Sequence, residues 1–381
     1  MFRTVVAPAT DQYPRNTEAD VVVLPDSRLL LAYTRFQGGG SDFDRAEIVG
    51  RYSADSGRTW TEPTVLQPND AGVNCMSATL RQLPDGDLLL FYLRKNSATD
   101  LHVLVKRSAD QGASWSEPVQ VSEGEGYYVM NNARVARLST GRLVAPVSYC
   151  PDAGAPIDAG GHHEVLCYLS DDDGVTWNAG TTRLDLPKRG AMEPAVAETA
   201  DGSLLMLIRT QLGRIYMSRS KDKGETWSPV RMTRLLSPEA PCALARVPDS
   251  DDLLLIWNDN YDRALPMGGK RTPLRSAISN DGGEKWHHFR TLEVDASQSF
   301  SYPSITFAGD EVLLTYWDGE MPGHLSLVFA AIPREWFYQR EDTLVRQSIG
   351  ALADDPARSI GSPLGLRSIT APNAWAKKEM D

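Results

Sequence analysis

One octapeptide pattern, S-x-D-x-G-x-T-W, recurs five times along the 381-residue chain. The copies open at Ser53, Ser108, Ser170, Ser220 and Ser279 and carry Asp55, Asp110, Asp172, Asp222 and Asp281. Each reads as a tight hairpin turn. The Asp carboxylate accepts backbone N–H groups of the turn, the Gly supplies a left-handed φ, and the Trp packs between neighbouring repeats. These aspartates are structural groups. A second repeat runs out of phase with the first: a short strand, a turn and a strongly apolar strand, as in VVVLPDSRLLLAYTR, TLRQLPDGDLLLFYLR and VAETADGSLLMLIRT. The boxes recur on average every 56.5 residues, and the stretch 15–334 holds about 5.7 such periods. That spacing predicts an all-β fold, a six-bladed β-propeller of four-stranded antiparallel blades over residues 1–335. The run FRTVVAP (2–8) is expected to close the ring. After Pro333, REWFYQREDTLVRQSIGAL reads as a short C-terminal helical extension, so 336–381 is expected to be a helix and tail packing on the propeller or trailing from it.

Topology alone sorts the loops. The boxes are turns between third and fourth strands, and the PDG-like turns join first to second strands, so both kinds lie on one face. The opposite face receives first-strand starts, second-strand ends and the loops between second and third strands. First-strand starts carry Arg15, Glu18, Asn74, Asn131, Asn132, Glu193 and Tyr302; second-strand ends carry Arg35, Arg94, Arg209 and Asn258. The intervening loops carry Asp42, Asp44, Lys95, Asp158, His162, His163, Asp259, Lys270 and Arg271. First strands lie nearest a propeller's axis, so this polar set is expected to converge on one central pocket.

Composition narrows the ligand. A net charge of −11 argues against nucleic acid or an anionic membrane surface as partner. An anionic substrate would need arginines gathered locally against that background. Cys75, Cys150, Cys167 and Cys242 show no metal-ligand spacing and are expected to be buried free thiols. No run of 18 apolar residues occurs, and the N-terminal residues do not read as a leader, which places the chain in the cytoplasm unless a leader was removed.

On these motifs the chain resembles the sialidase superfamily, specifically bacterial exo-α-sialidase-like proteins with Asp-box repeats, over roughly residues 13–335. The resemblance implies three arginines gripping a substrate carboxylate: Arg15, Arg209 at the end of the hairpin that opens with Glu193, and Arg271. It implies Tyr302 as nucleophile paired with Glu193, and Asp42 as acid/base, with Asp44 competing for that role. Two departures stand out: Arg15-Asn16-Thr17 in place of Arg-Ile-Pro, and Tyr302-Pro303 in place of Tyr-Ser. Arg94, Asn74, Asn132 and His162 become candidate substrate contacts on the same face.

The residue types suit the chemistry. Planar guanidinium groups bind a carboxylate bidentately. A neutral phenol activated by Glu avoids the charge repulsion a carboxylate nucleophile would meet beside such a substrate. A separate Asp protonates the leaving oxygen and later activates water. The expected activity is therefore an exo-glycosidase on a terminal acidic sugar, sialic acid or a related 2-keto sugar acid, with no metal or organic cofactor. A uronic-acid glycan lyase, another glycosidase on the same scaffold, and a non-catalytic carbohydrate-binding propeller are the alternatives.

Overall fold

The apolar runs after each short turn become strands buried on both faces. Leu29–Gln37, Leu88–Lys95, Leu204–Arg209 and Leu253–Asn258 are almost continuously buried, which a strand achieves only when other sheets cover both sides of its own. The computed structural model describes residues 1–151, 161–320 and 323–340, and these form an all-β protein. The strand sets are Arg15–Val23, Leu29–Gln37, Arg45–Ser53 and Thr64–Gln67; Asn74–Gln82, Leu88–Lys95, Leu101–Ser108 and Val119–Gln120; and Ala136–Arg137, Leu143–Cys150, Glu164–Ser170 and Asn178–Ala179. They continue with Met192–Glu198, Leu204–Arg209, Arg214–Ser220 and Arg231–Leu236; and Ala243–Arg246, Leu253–Asn258, Leu274–Ser279 and His287–Glu293. Each set is an antiparallel meander. Ser299–Ala308, Glu311–Gly319 and Leu325–Pro333 make the last, and Phe2–Ala7 pairs with Leu325–Pro333 to complete it from the other end of the chain.

The cores lie between consecutive meanders. Leu30 and Ile48 pack with Leu80 and Leu90; Leu205 and Leu207 pack with Leu253 and Trp257. A further cluster joins Leu31 and Tyr33 to Leu313 and Phe329, so the last meander packs against the first. This arrangement is consistent with a β-propeller.

The five boxes do lie between third and fourth strands. In the Asp172 copy the carboxylate accepts the Thr176 N–H at 2.9 Å and hydroxyl bonds from Thr176 at 2.6 Å and Ser170 at 2.8 Å. The buried Ser170 Oγ also accepts the Gly174 N–H at 2.9 Å. Box glycines take φ values of +86 to +96°, and at Gly57 a Cβ would lie 2.2 Å from the Phe329 ring. Trp60 packs edge-on to Phe329, and Trp177 edge-on to Phe91, each on the preceding meander.

The expected C-terminal helix is corrected within the described residues. Arg334–Tyr338 is a single 3-10 turn that buries Trp336 and Phe337. The remainder of the predicted helix and tail lies outside the described residues, as does Asp158.

Candidate active site

The site is built by a fault repeated in the sheet. Four inner strands, Arg15–Val23, Asn74–Gln82, Met192–Glu198 and Ser299–Ala308, break register with their neighbours at corresponding points. The residues at the breaks are Glu18, Ser77, Glu193 and Tyr302, with φ of +57, +62, +34 and +56°. A bulge re-aims a side chain that regular pleating would bury in the sheet stack. It also explains Glu193-Pro194 and Tyr302-Pro303: a bulge residue owes no N–H to the ladder, so proline is tolerated there. Left-handed backbone at a Tyr costs energy unless its surroundings fix it. Here Asn132 Nδ2 donates to the Tyr302 carbonyl at 3.1 Å, Asn258 Nδ2 to the Phe300 carbonyl at 2.8 Å, and the Phe300 N–H to the Arg271 carbonyl at 2.8 Å.

Tyr302 Oη donates to Glu193 Oε1 at 2.9 Å. The other Glu193 oxygen is ion-paired with Arg209. Burial would raise the Glu193 carboxyl, but Arg209 and then Arg271 hold it below its ordinary value. Burial and Glu193 push the Tyr302 phenol up, so it stays protonated at rest. Arg271 lies 5.5 Å from the Tyr302 ring centre and 5.9 Å from that of Trp317.

Arg15 and Asp42 meet as well. Arg15 Nη1 bonds Asp42 Oδ1 at 2.6 Å and Nη2 bonds Glu18 Oε1 at 2.6 Å, while the guanidinium lies 4.2 Å over Phe36. Asp42 is drawn down to about 2: burial opposes the shift, and Arg15, Lys95 and Arg271 outweigh it. Burial raises the Glu18 carboxyl despite Arg15. Between the two candidate loop acids the geometry favours Asp42, because Asp44 Oδ2 accepts the Ser41 N–H at 2.7 Å and so caps its own loop.

The remaining four candidates make other contacts. Asn132 is fully buried and donates to the backbone carbonyls of Ala19 at 2.7 Å and Tyr302 at 3.1 Å. Asn74 is fully buried too and holds the carbonyls of Asp42 and Asp44 at 2.9 and 2.8 Å. Both are corrected from substrate contacts to braces of the site, since their donors are spent on backbone. Arg94 faces Asp70 at 3.9 Å, and His162 bonds Asp185 at 2.6 Å and the Lys188 carbonyl at 2.8 Å. Neither is joined to the Tyr302–Glu193 pair.

Sequence reasoning missed Glu239. Its buried carboxylate pairs with Arg189, bonds Arg209 Nη2 at 3.2 Å and accepts from Gln211 at 2.8 Å, while its carbonyl accepts from Arg271 Nη2 at 3.0 Å. Its position, just ahead of the first strand of the fifth meander, matches that of the polar first-strand starts in the other meanders and was the available signal. Arg15, Arg189, Arg209 and Arg271 are gathered, but Glu18, Asp42, Glu193 and Glu239 face them. Among the described residues no group of three His, Cys, Asp or Glu side chains could hold a metal ion, and all four cysteines are buried.

Known proteins share this architecture. A sialidase of Bacteroides fragilis is 27% identical over 224 residues, covering 55% of this chain and 38% of its own length. A sialidase of Micromonospora viridifaciens is 26% identical over 339 residues, covering 78% of this chain and 49% of its own. This chain thus spans half or less of each. Among solved structures, a Dyadobacter fermentans protein of unknown function superposes with a TM-score of 0.71 at 20% identity, covering 86% of this chain and 97% of that one. The NanB sialidase of Streptococcus pneumoniae does so with 0.69 at 14% identity, covering 87% and 70%. At such identities the structural likeness is one of fold. The family model of the BNR repeat-like domain matches residues 36–314, and the chain belongs to that BNR repeat-containing family of the sialidase superfamily.

Proposed function

We propose that residues 1–335 form a closed six-bladed propeller acting as a retaining exo-glycosidase on a terminal acidic sugar, sialic acid or a related 2-keto sugar acid. The observation that carries the reading is the 2.9 Å bond from the Tyr302 phenol to Glu193, with Arg209 and Arg271 at its side. A binding site has no need of a phenol paired with a buried carboxylate. In this scheme Arg15, Arg209 and Arg271 bind the sugar carboxylate. Glu193 takes the phenol proton as Tyr302 Oη attacks the anomeric carbon. Asp42 donates a proton to the leaving oxygen and afterwards takes one from the attacking water. An Asp held near 2 cannot donate at neutral pH. The substrate carboxylate therefore has a second role. By engaging Arg15 it releases Asp42, whose affinity for a proton then rises.

The test is a panel of aryl glycosides of α-linked sialic acid, 2-keto-3-deoxy sugar acids and glucuronic acid, assayed with the wild type and Tyr302→Phe. Turnover on one acidic sugar that falls by at least about 100-fold in Tyr302→Phe supports the reading. Undiminished hydrolysis in that variant refutes the nucleophile assignment. An unsaturated product absorbing in the near ultraviolet would indicate a lyase, and binding without turnover a carbohydrate-binding protein.

A further inference from the structure

Arg134 is a buried cation that the proposed reaction does not use. It is 3% exposed and has no carboxylate within ion-pair distance among the described residues. Its Nε donates to Asn131 Oδ1 at 2.5 Å and its backbone N–H to Thr79 Oγ1 at 3.1 Å. Of the donors that remain, those on Arg134 Nη2 and Asn131 Nδ2 are buried without a partner. Rotating the Asn131 amide cannot cure this, because guanidinium Nε only donates and must face the amide oxygen. Nη2 shares the fork edge with Nε, so both unmet groups belong to the Arg134–Asn131 contact.

Nearby groups do not neutralise the charge. The electrostatic neighbours of Arg134 are Cys242, Glu193, Tyr302 and Asp20, from four different meanders, which sets the guanidinium near the middle of the molecule. Asp20 is committed to Arg81 at 2.8 Å and to the N–H groups of Val21 and Leu80. Glu193 is committed to Arg209 and Tyr302. Burial pushes the Cys242 thiol up to about 11, so it carries no charge at neutral pH. A buried cation with neither counter-charge nor full hydrogen bonding is costly.

We infer that Arg134 Nη2 and Asn131 Nδ2 together hold a small monovalent anion of the halide class, buried near the middle of the molecule. An anion accepts both donors, brings no protons of its own to satisfy, and supplies the missing charge; water meets only the first need. The inference is independent of the reaction proposed above.

Bromide is the probe. Crystals grown in about 0.2 M sodium bromide should show a bromine-edge anomalous peak on Nη2 and Nδ2. In solution, exchanging gluconate for chloride at constant ionic strength should raise the Tm by about 2 °C once chloride reaches about ten times its Kd. Asn131→Asp supplies a carboxylate that can accept from both Nε and Nη2. That variant should unfold in gluconate at or above the wild-type temperature and lose the chloride response. Arg134→Gln should lose the response too. Ordinary water with no anomalous signal overturns the inference, as does a chloride response that persists in Asn131→Asp. A crystalline bromide peak without any response in solution is an adventitious ion only, and overturns it equally.

Discussion

Glu239→Gln isolates how much the arginine cluster depends on one carboxylate. The Glu239 side chain is 1% exposed and is shared by Arg189 and Arg209. Removing one partner of a buried ion pair costs about 3–5 kcal/mol, because the other charge stays buried. Two facts favour the low end. Arg189 is 28% exposed and therefore partly screened, and Arg209 keeps Glu193. A loss of about 3 kcal/mol in a domain of this size lowers the Tm by about 4 °C, read by circular dichroism at pH 7. The pH dependence has a definite sign. Burial opposes but Arg209 and Arg189 bring the folded value of Glu239 below its ordinary 4.5. The stabilisation is therefore complete above that ordinary value and fades as pH falls through the depressed folded one. The gap between wild type and Glu239→Gln should narrow on acidification below pH 4.5. Arg189→Gln combined with Glu239→Gln should be less damaging than the two single effects added, since the pair is removed together. A Glu239→Gln protein melting within about 1 °C of wild type at pH 7, or a gap that widens in acid, would refute the reasoning.

Ser170→Ala deletes the acceptor of the buried Gly174 N–H and should cost about 1–3 kcal/mol, visible in urea unfolding as a lower midpoint at unchanged slope; an unchanged midpoint counts against the box turn as a stabilising unit. Asn132→Leu frees the Tyr302 carbonyl, and on the proposed mechanism should lower kcat by at least about tenfold with little change in KM; an altered melting temperature with intact kcat would reduce Asn132 to a packing residue. Arg15→Gln removes the first cation acting on Asp42, so the Asp42 carboxyl should titrate at least about one unit above its resting value, followed by carbon-13 NMR; an unmoved midpoint means Arg15 does not hold it.

The sequence by itself determined the repeat. Five boxes at intervals of 50 to 62 residues name the turns, the alternation of short and apolar strands names the meanders, and FRTVVAP completes the last one because it too is a strand. These are local signals: a turn needs its Asp and Gly wherever the chain goes next. Tyr302, Glu193, Arg209, Arg271, Arg15 and Asp42 were placed on one face, among many other polar residues, for a related reason, since alternation fixes which ends of the strands share a face; only the family resemblance singled out these six. Register was not readable. Nothing in MEPAVAE or SFSYPSI announces that Glu193 and Tyr302 sit in bulges with left-handed backbone. A bulge is decided by which residue the neighbouring strand places opposite, not by the residue itself. Partnership was not readable either. Arg15 answers to Glu18 and Asp42, Arg209 to Glu193 and Glu239, and Asn74 and Asn132 to backbone carbonyls from distant strands. A polar side chain's role depends on what the tertiary structure leaves within about 3 Å of it. In a fold of repeated meanders those neighbours come from parts of the chain that no sequence spacing connects.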